Sequence, residues 1–203
     1  MLRPLKRPAF LAVAVLCLPS LVAQAASITP GSSSQVGPVQ TRFDAARQET
    51  DVAGHITPAL CFSFNLPQEW RMRADGARMS LVAAHHGAEL EVSLRSAQEL
   101  RHMPQPDLAS RDAAFLQQGY EDLLGRPAQS VSLASLSGAT RWSATWVDAN
   151  LPSASHAMTV EAFIVPLSKE WVAEMSLTGI ASKSAYDALV QDLLADFRVK
   201  AAC

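Results

Sequence analysis

Between Leu60 and Leu66 the chain alternates. Phe62, Phe64 and Leu66 fall on one side of an extended backbone, and Ser63 and Asn65 fall on the other. A period of two marks a half-buried strand. Pro67 ends it, because proline brings no N–H to a ladder, and Trp70 follows. Met79 to Ala84 reads as a second strand. After a turn at Gly87, Glu89-Leu90-Glu91-Val92-Ser93-Leu94 is the cleanest alternation in the chain, with both glutamates facing water. The spacing then changes. Ala109, Ala113, Leu116, Tyr120, Leu123 and Leu124 recur at helical steps, Pro106 and Asp107 fit the helix start, and Gly125 with Pro127 fits its end. Four strands are expected near Ser130–Leu136, Ala139–Val147, His156–Val165 and Glu170–Leu177, separated at Gly138 and across Asn150–Ser155. A final helix carries Tyr186, Leu189, Val190, Leu193, Leu194 and Phe197 on one stripe, with Ser184 and Asp187 as its cap.

The order strands, helix, four strands, helix predicts an α+β fold. Short connections make most of it antiparallel, a six- to seven-stranded sheet with two main helices packed on it. So wide a sheet can bury both faces, using Trp142 and Trp146 on one side and Trp171, Met175 and Leu177 on the other. The globular domain is expected over residues 59–199, with 200–203 as a tail. Upstream, Ser27 to Gln40 holds Pro30, Gly31, three consecutive serines, Gly37 and Pro38. Such a stretch cannot bury enough apolar surface to offset its ordering entropy, so residues 26–58 read as a flexible leader. Within it, Phe43 to Glu49 fits a helical turn or a short edge strand.

Residues 1–25 have the three parts of an export signal. Arg3, Lys6 and Arg7 form a basic front, Ala9 to Leu18 is an apolar run, and Ala23-Gln24-Ala25 offers small residues to a signal peptidase. The expected cut lies between Ala25 and Ala26. An uncleaved membrane anchor fits less well, because the run from Ala9 to Ala23 contains Pro19 and falls short of the roughly 20 apolar residues a spanning helix needs. A lipoprotein signal also fits less well, since bulky Leu16 precedes Cys17. The protein is therefore expected to be periplasmic or secreted, with no membrane span after cleavage.

Cleavage removes three bases and no acid, leaving 14 bases against 19 acids in the mature chain. A nucleic-acid partner is disfavoured, because phosphate binding needs a basic face. Cys17 leaves with the signal, so Cys61 and Cys203 remain. An oxidising compartment permits a disulfide between them. The alternative, a buried Cys61 on its strand with Cys203 free at a frayed end, stays open.

Candidate chemistry is sparse. His85 and His86 are adjacent, so on a strand they point to opposite faces and cannot grip one ion together. His156 and Met158 share a strand face and could suit copper, though Met158 in the core and His156 at a wet strand end is the simpler reading. No zinc-type or calcium-type spacing, Gly-x-Ser-x-Gly elbow or phosphate-cradling glycine loop occurs, and no cofactor is indicated. Glu89 and Glu91 belong to the wet side of their strand. Trp70, Arg71, Arg73 and Arg78 form a small basic-aromatic patch, the residue types favoured at protein interfaces. A rim of solubilising arginines is the plainer account of it.

The run Phe62-Ser63-Phe64-Asn65-Leu66-Pro67-Gln68-Glu69-Trp70 resembles the opening of PsbP-like domains, an aromatic strand followed by Pro, two residues and Trp. The later element order, over residues about 59–199, is similar to the α/β/α sandwich shared by PsbP, the Mog-like proteins and the DcrB-like periplasmic proteins. The resemblance implies an accessory or binding protein rather than a catalyst, and carries no site residue with it. The expected function is therefore an exported, non-enzymatic accessory or protein-binding domain acting on an envelope protein. The rivals are a metal- or small-ligand-binding module using His85, His86 or His156, and an envelope hydrolase without a recognisable motif.

Overall fold

The computed structural model describes residues 39–75, 78–147, 157–201 and 203. The strands are β1 (Gln40–Asp44), β2 (Glu49–Thr57), β3 (Leu60–Pro67), β4 (Trp70–Asp75), β5 (Arg78–Ala83) and β6 (Glu89–Ser96). The helix α1 (Leu108–Leu124) follows, then β7 (Ser130–Leu136), β8 (Ala139–Val147), β9 (Ala157–Pro166) and β10 (Trp171–Thr178). The helix α2 (Lys183–Asp196) and β11 (Arg198–Lys200) complete the order. They make two antiparallel sheets, one of four strands ordered β1-β2-β3-β11 and one of seven ordered β4-β5-β6-β10-β9-β8-β7.

The larger sheet explains the placement of α1. β6 and β7 are consecutive strands in the chain but lie four places apart in the sheet. At ~4.8 Å per strand the gap is ~19 Å, and 17 helical residues span ~25 Å. The chain therefore crosses one sheet face as α1 and returns by hairpins through β8 and β9 to β10, which pairs with β6 from Glu89–Thr178 to Ser96–Trp171. Asp107 caps the helix start by accepting the Ser110 N–H at 2.9 Å, and Gly125 ends the helix in the left-handed conformation, φ 65°. Both ends lie where the capping residues predict them.

Alternation sorts the sheet's side chains into two cores. Trp142, Ala144 and Trp146 of β8, with Ala162, Ile164 and Val172, pack under Ala109, Ala113 and Leu116 of α1. On the other face Leu81, Leu90, Phe163, Met175 and Leu177 join Val190 and Leu193 of α2 and Val52, Phe62, Phe64 and Leu66 of the smaller sheet. Phe62, Phe64 and Phe197 stack with centroids 5.7–6.1 Å apart.

The two sheets meet at a hydroxyl. Thr50 is fully buried on β2. Its Oγ1 donates to the Gln68 carbonyl at 2.7 Å and accepts the Trp70 N–H at 2.9 Å. Trp70 Nε1 donates to the Pro67 carbonyl at 2.8 Å, which turns the indole back over the core beside the strand end. The Gln68 N–H donates to the Gln48 carbonyl at 2.7 Å. Pro67 to Trp70 is thus a hydrogen-bonded corner passing the chain from β3 to β4.

Four expectations are corrected. The fold does not begin at Ala59, because residues 40–57 of the supposed leader form β1 and β2. The inward positions of β2 are Thr50, Val52, Gly54 and Ile56, and a hydroxyl and a glycine hide the apolar alternation. Gly54 is needed there, since a Cβ would stand 2.4 Å from the Phe62 ring. The strand at Leu60 belongs to the second sheet, not the main one. The tail beyond residue 199 includes the end of β11, where Lys200 pairs with Cys61. The α2 cap is Ser182, which accepts the Ala185 N–H at 3.2 Å, while Asp187 takes the Lys183 ammonium at 2.6 Å.

Replacing Thr50 by Val keeps the shape and removes both hydroxyl bonds from a buried corner. The expected cost is about 1–3 kcal/mol in urea denaturation, with strand content retained by circular dichroism. A change within ~0.3 kcal/mol of zero would mean that the corner is held by packing alone.

Candidate binding site

The structure takes the basic-aromatic patch apart. Trp70 faces the core at 5% exposure, whereas Arg71 and Arg73 lie on the opposite side of β4. Each has a local carboxylate: Arg71 Nε meets Glu69 Oε1 at 3.0 Å and Arg73 Nη2 meets Glu89 Oε1 at 2.6 Å. Arg78 opposes Asp75 in the β4–β5 register. His85 and His86 are exposed in the turn after β5, and neither joins two other ligating side chains among the described residues. His86 borders an apolar hollow of about 400 Å³ with Trp70, Ile180 and Leu189. His156 and the Ala25–Ala26 junction lie outside the described residues. Met158 is 41% exposed on β9, not a core residue. Cys61 and Cys203 stand at disulfide distance, with Cα atoms 5.9 Å apart.

Two charged clusters emerge that spacing along the chain does not reveal. Arg95 of β6 lies between Asp112 of α1 (Nε to Oδ1 3.0 Å) and Glu174 of β10 (Nη2 to Oε2 2.9 Å), with its guanidinium 4.5 Å from the Phe115 ring centre. Asp112 has no exposed surface. Burial pushes its pKa up to about 7, and the neighbouring Glu174 charge adds to the rise; Arg95 opposes both without cancelling them. On the other face Tyr186 of α2 donates to Glu161 at 2.8 Å, and Glu161 also takes Arg141. Burial and the Glu161 contact raise the Tyr186 phenol above its ordinary range. Each cluster ties one helix to one face of the sheet. Beside the first runs a groove of about 250 Å³, lined by Phe115, Tyr120, Leu123, Trp142, Arg95 and Glu174.

The sheet edges differ in kind. Exposed edges are templates for further strands, and charged side chains blunt them. β4 carries Arg71 and Arg73, β1 carries Arg42 and Asp44, and β11 carries Arg198 and Lys200. β7, the other edge of the larger sheet, reads Ser-Val-Ser-Leu-Ala-Ser-Leu with no charge, and all seven residues are exposed. Val131 (42%) and Leu133 (51%) project on the α1 face, Leu133 directly beside Trp142 in register. Among the described residues no strand pairs with the outer side of β7. No family model matches this chain, and no curated protein matches it in sequence.

The raised Asp112 pKa fixes a sign. From about pH 4 to 7 the folded chain holds a proton there that the unfolded chain releases, so this group's contribution to stability falls as pH rises and levels off above 7. Asp112→Asn is expected to match the native chain near pH 4 and to exceed it at pH 8 by up to about 4 kcal/mol in urea denaturation. Equal stabilities at both pH values would show that Arg95 fully compensates the buried carboxylate.

Proposed function

We propose that this chain is an exported, non-enzymatic accessory module, periplasmic in location, that binds an envelope protein by accepting an extended, uncharged segment of it along β7. The carrying observation is the contrast between edges: three bear charges and β7 bears none. In such strand addition, backbone hydrogen bonds supply affinity and alternate side-chain positions supply selectivity. Val131 and Leu133 offer the apolar positions on the α1 face, and Leu136 (38% exposed) offers one on the other.

Export is supported by the three-part front of the sequence and by the Cys61–Cys203 pair, since disulfides persist in oxidising compartments. A binding role rather than catalysis is supported by the uses of the two strongly perturbed groups, Asp112 and Tyr186, each engaged in fastening a helix to the sheet. The two antiparallel sheets with two helices are compatible with the PsbP-like sandwich.

A second reading rests on the groove beside α1. Trp142 lines it, and the buried Trp142 indole N–H has no acceptor among the described residues. A small amphipathic ligand bearing an acceptor would suit it. At about 250 Å³ the groove is smaller than the roughly 300–1,000 Å³ of typical ligand sites, which favours the strand edge.

A photo-crosslinking residue placed at Ser132 in the native host is expected to give one heterologous adduct. The same probe at Arg73 on the opposite edge is expected to give none, and adding Leu133→Lys to the Ser132 probe should abolish the adduct while leaving the melting curve unchanged. An adduct of only twice the chain's own mass, or one indifferent to Leu133→Lys, would overturn the proposal.

A further inference from the structure

Outside the clusters that hold the helices, three ligating side chains converge at the smaller sheet, two from paired strands and one from the segment after β11. His55 on β2 is the direct cross-strand partner of Cys61 on β3. Cys61 is in turn the partner of Lys200 on β11, three residues before Cys203. One imidazole nitrogen and the two Sγ atoms lie within 4.8 Å of one another. The register of β2 shifts between His55 and Thr57. Such irregularities re-aim side chains and are over-represented beside functional sites.

We propose that His55, Cys61 and Cys203 form a redox-gated site for a thiophilic d10 cation of the zinc type. Two thiolates and an imidazole are a standard donor set for such an ion, with the fourth position left to water. Bond lengths of about 2.3 Å to sulfur and 2.0–2.1 Å to nitrogen require ligand atoms roughly 3.5–3.8 Å apart, within reach of side-chain rotation from the present cluster. Two donors sit on paired strands, and the third lies just past β11, where the chain can adjust.

The disulfide is the gate. While the sulfurs share a bond, neither is a thiolate and the ion has only His55. A dithiol reductant transfers two electrons, becoming a disulfide itself, and the Cys61–Cys203 bond opens to two thiols. The ion then displaces the two thiol protons and binds both sulfurs and the imidazole. An oxidant of the thiol–disulfide class reverses the sequence and releases the ion. The proposal is independent of partner binding at β7, which lies on the other sheet.

The probe is Zn²⁺ alone, added to the mature chain before and after reduction with a phosphine and measured by competition with a chromophoric chelator. The expected result is one Zn²⁺ per reduced chain and none per oxidised chain. Cys203→Ser should remove stoichiometric uptake, and His55→Ala should weaken it about tenfold or more while leaving the circular-dichroism spectrum unchanged. Three outcomes would overturn the proposal: no stoichiometric uptake by the reduced chain, equal affinity in His55→Ala, or uptake seen only where reduction has abolished the strand signal, because the site exists only on the folded sheet.

Discussion

A seven-stranded sheet with apolar side chains on both faces cannot stand in water, and most of the architecture answers that constraint. α1 covers the tryptophan face of β8. The opposite face is wider than α2 can cover, and the four-stranded sheet shares the same core with it. Each cover is fastened at a point where the sheet carries ions rather than apolar groups. Arg95, itself paired with Glu174, holds Asp112 of α1, and Glu161, itself paired with Arg141, holds Tyr186 of α2. Buried ion groups are weak contributors to net stability and costly to leave half-made.

Elements with strict periodicity are legible from the amino-acid sequence alone. The ranges expected for β7 and β8 coincide with those observed, and those for β9 and β10 differ by one residue at each end. Asp107 and Gly125 bound α1 because a cap needs a side-chain acceptor at one end and a left-handed residue at the other. Strands whose inward positions are not all apolar escape such a reading. β2 presents Thr50 to a corner and Gly54 to a phenylalanine ring, so its reason for being a strand lies in its partners. The second sheet escapes for a related reason, since local alternation marks a strand without saying which sheet it joins.

The candidate sites follow the same division. Trp70, Arg71 and Arg73 look like a patch because they are close in sequence, yet the pleat sends the indole inward and the guanidinium groups outward to Glu69 and Glu89. The absence of charge in Ser130–Leu136 can be read from the letters alone, but its meaning depends on β7 being an edge. His55 goes unnoticed because its strand reads as part of the leader; the cross-strand register that sets it against Cys61 is invisible to spacing along the chain.

The closing of the smaller sheet has a consequence for how the protein is made. β11 lies beside β3, which precedes it by more than a hundred positions in the chain. A ribosome delivers β1 to β3 well before Arg198–Lys200, so the small sheet lacks its fourth member while the residues between them are made. If the chain also threads a narrow translocation channel, that incompleteness helps. A small sheet that cannot close until Arg198–Lys200 arrives leaves the polypeptide pliable enough to pass. The covalent clasp at residue 203 can then form only once the emerging molecule has reached the far side.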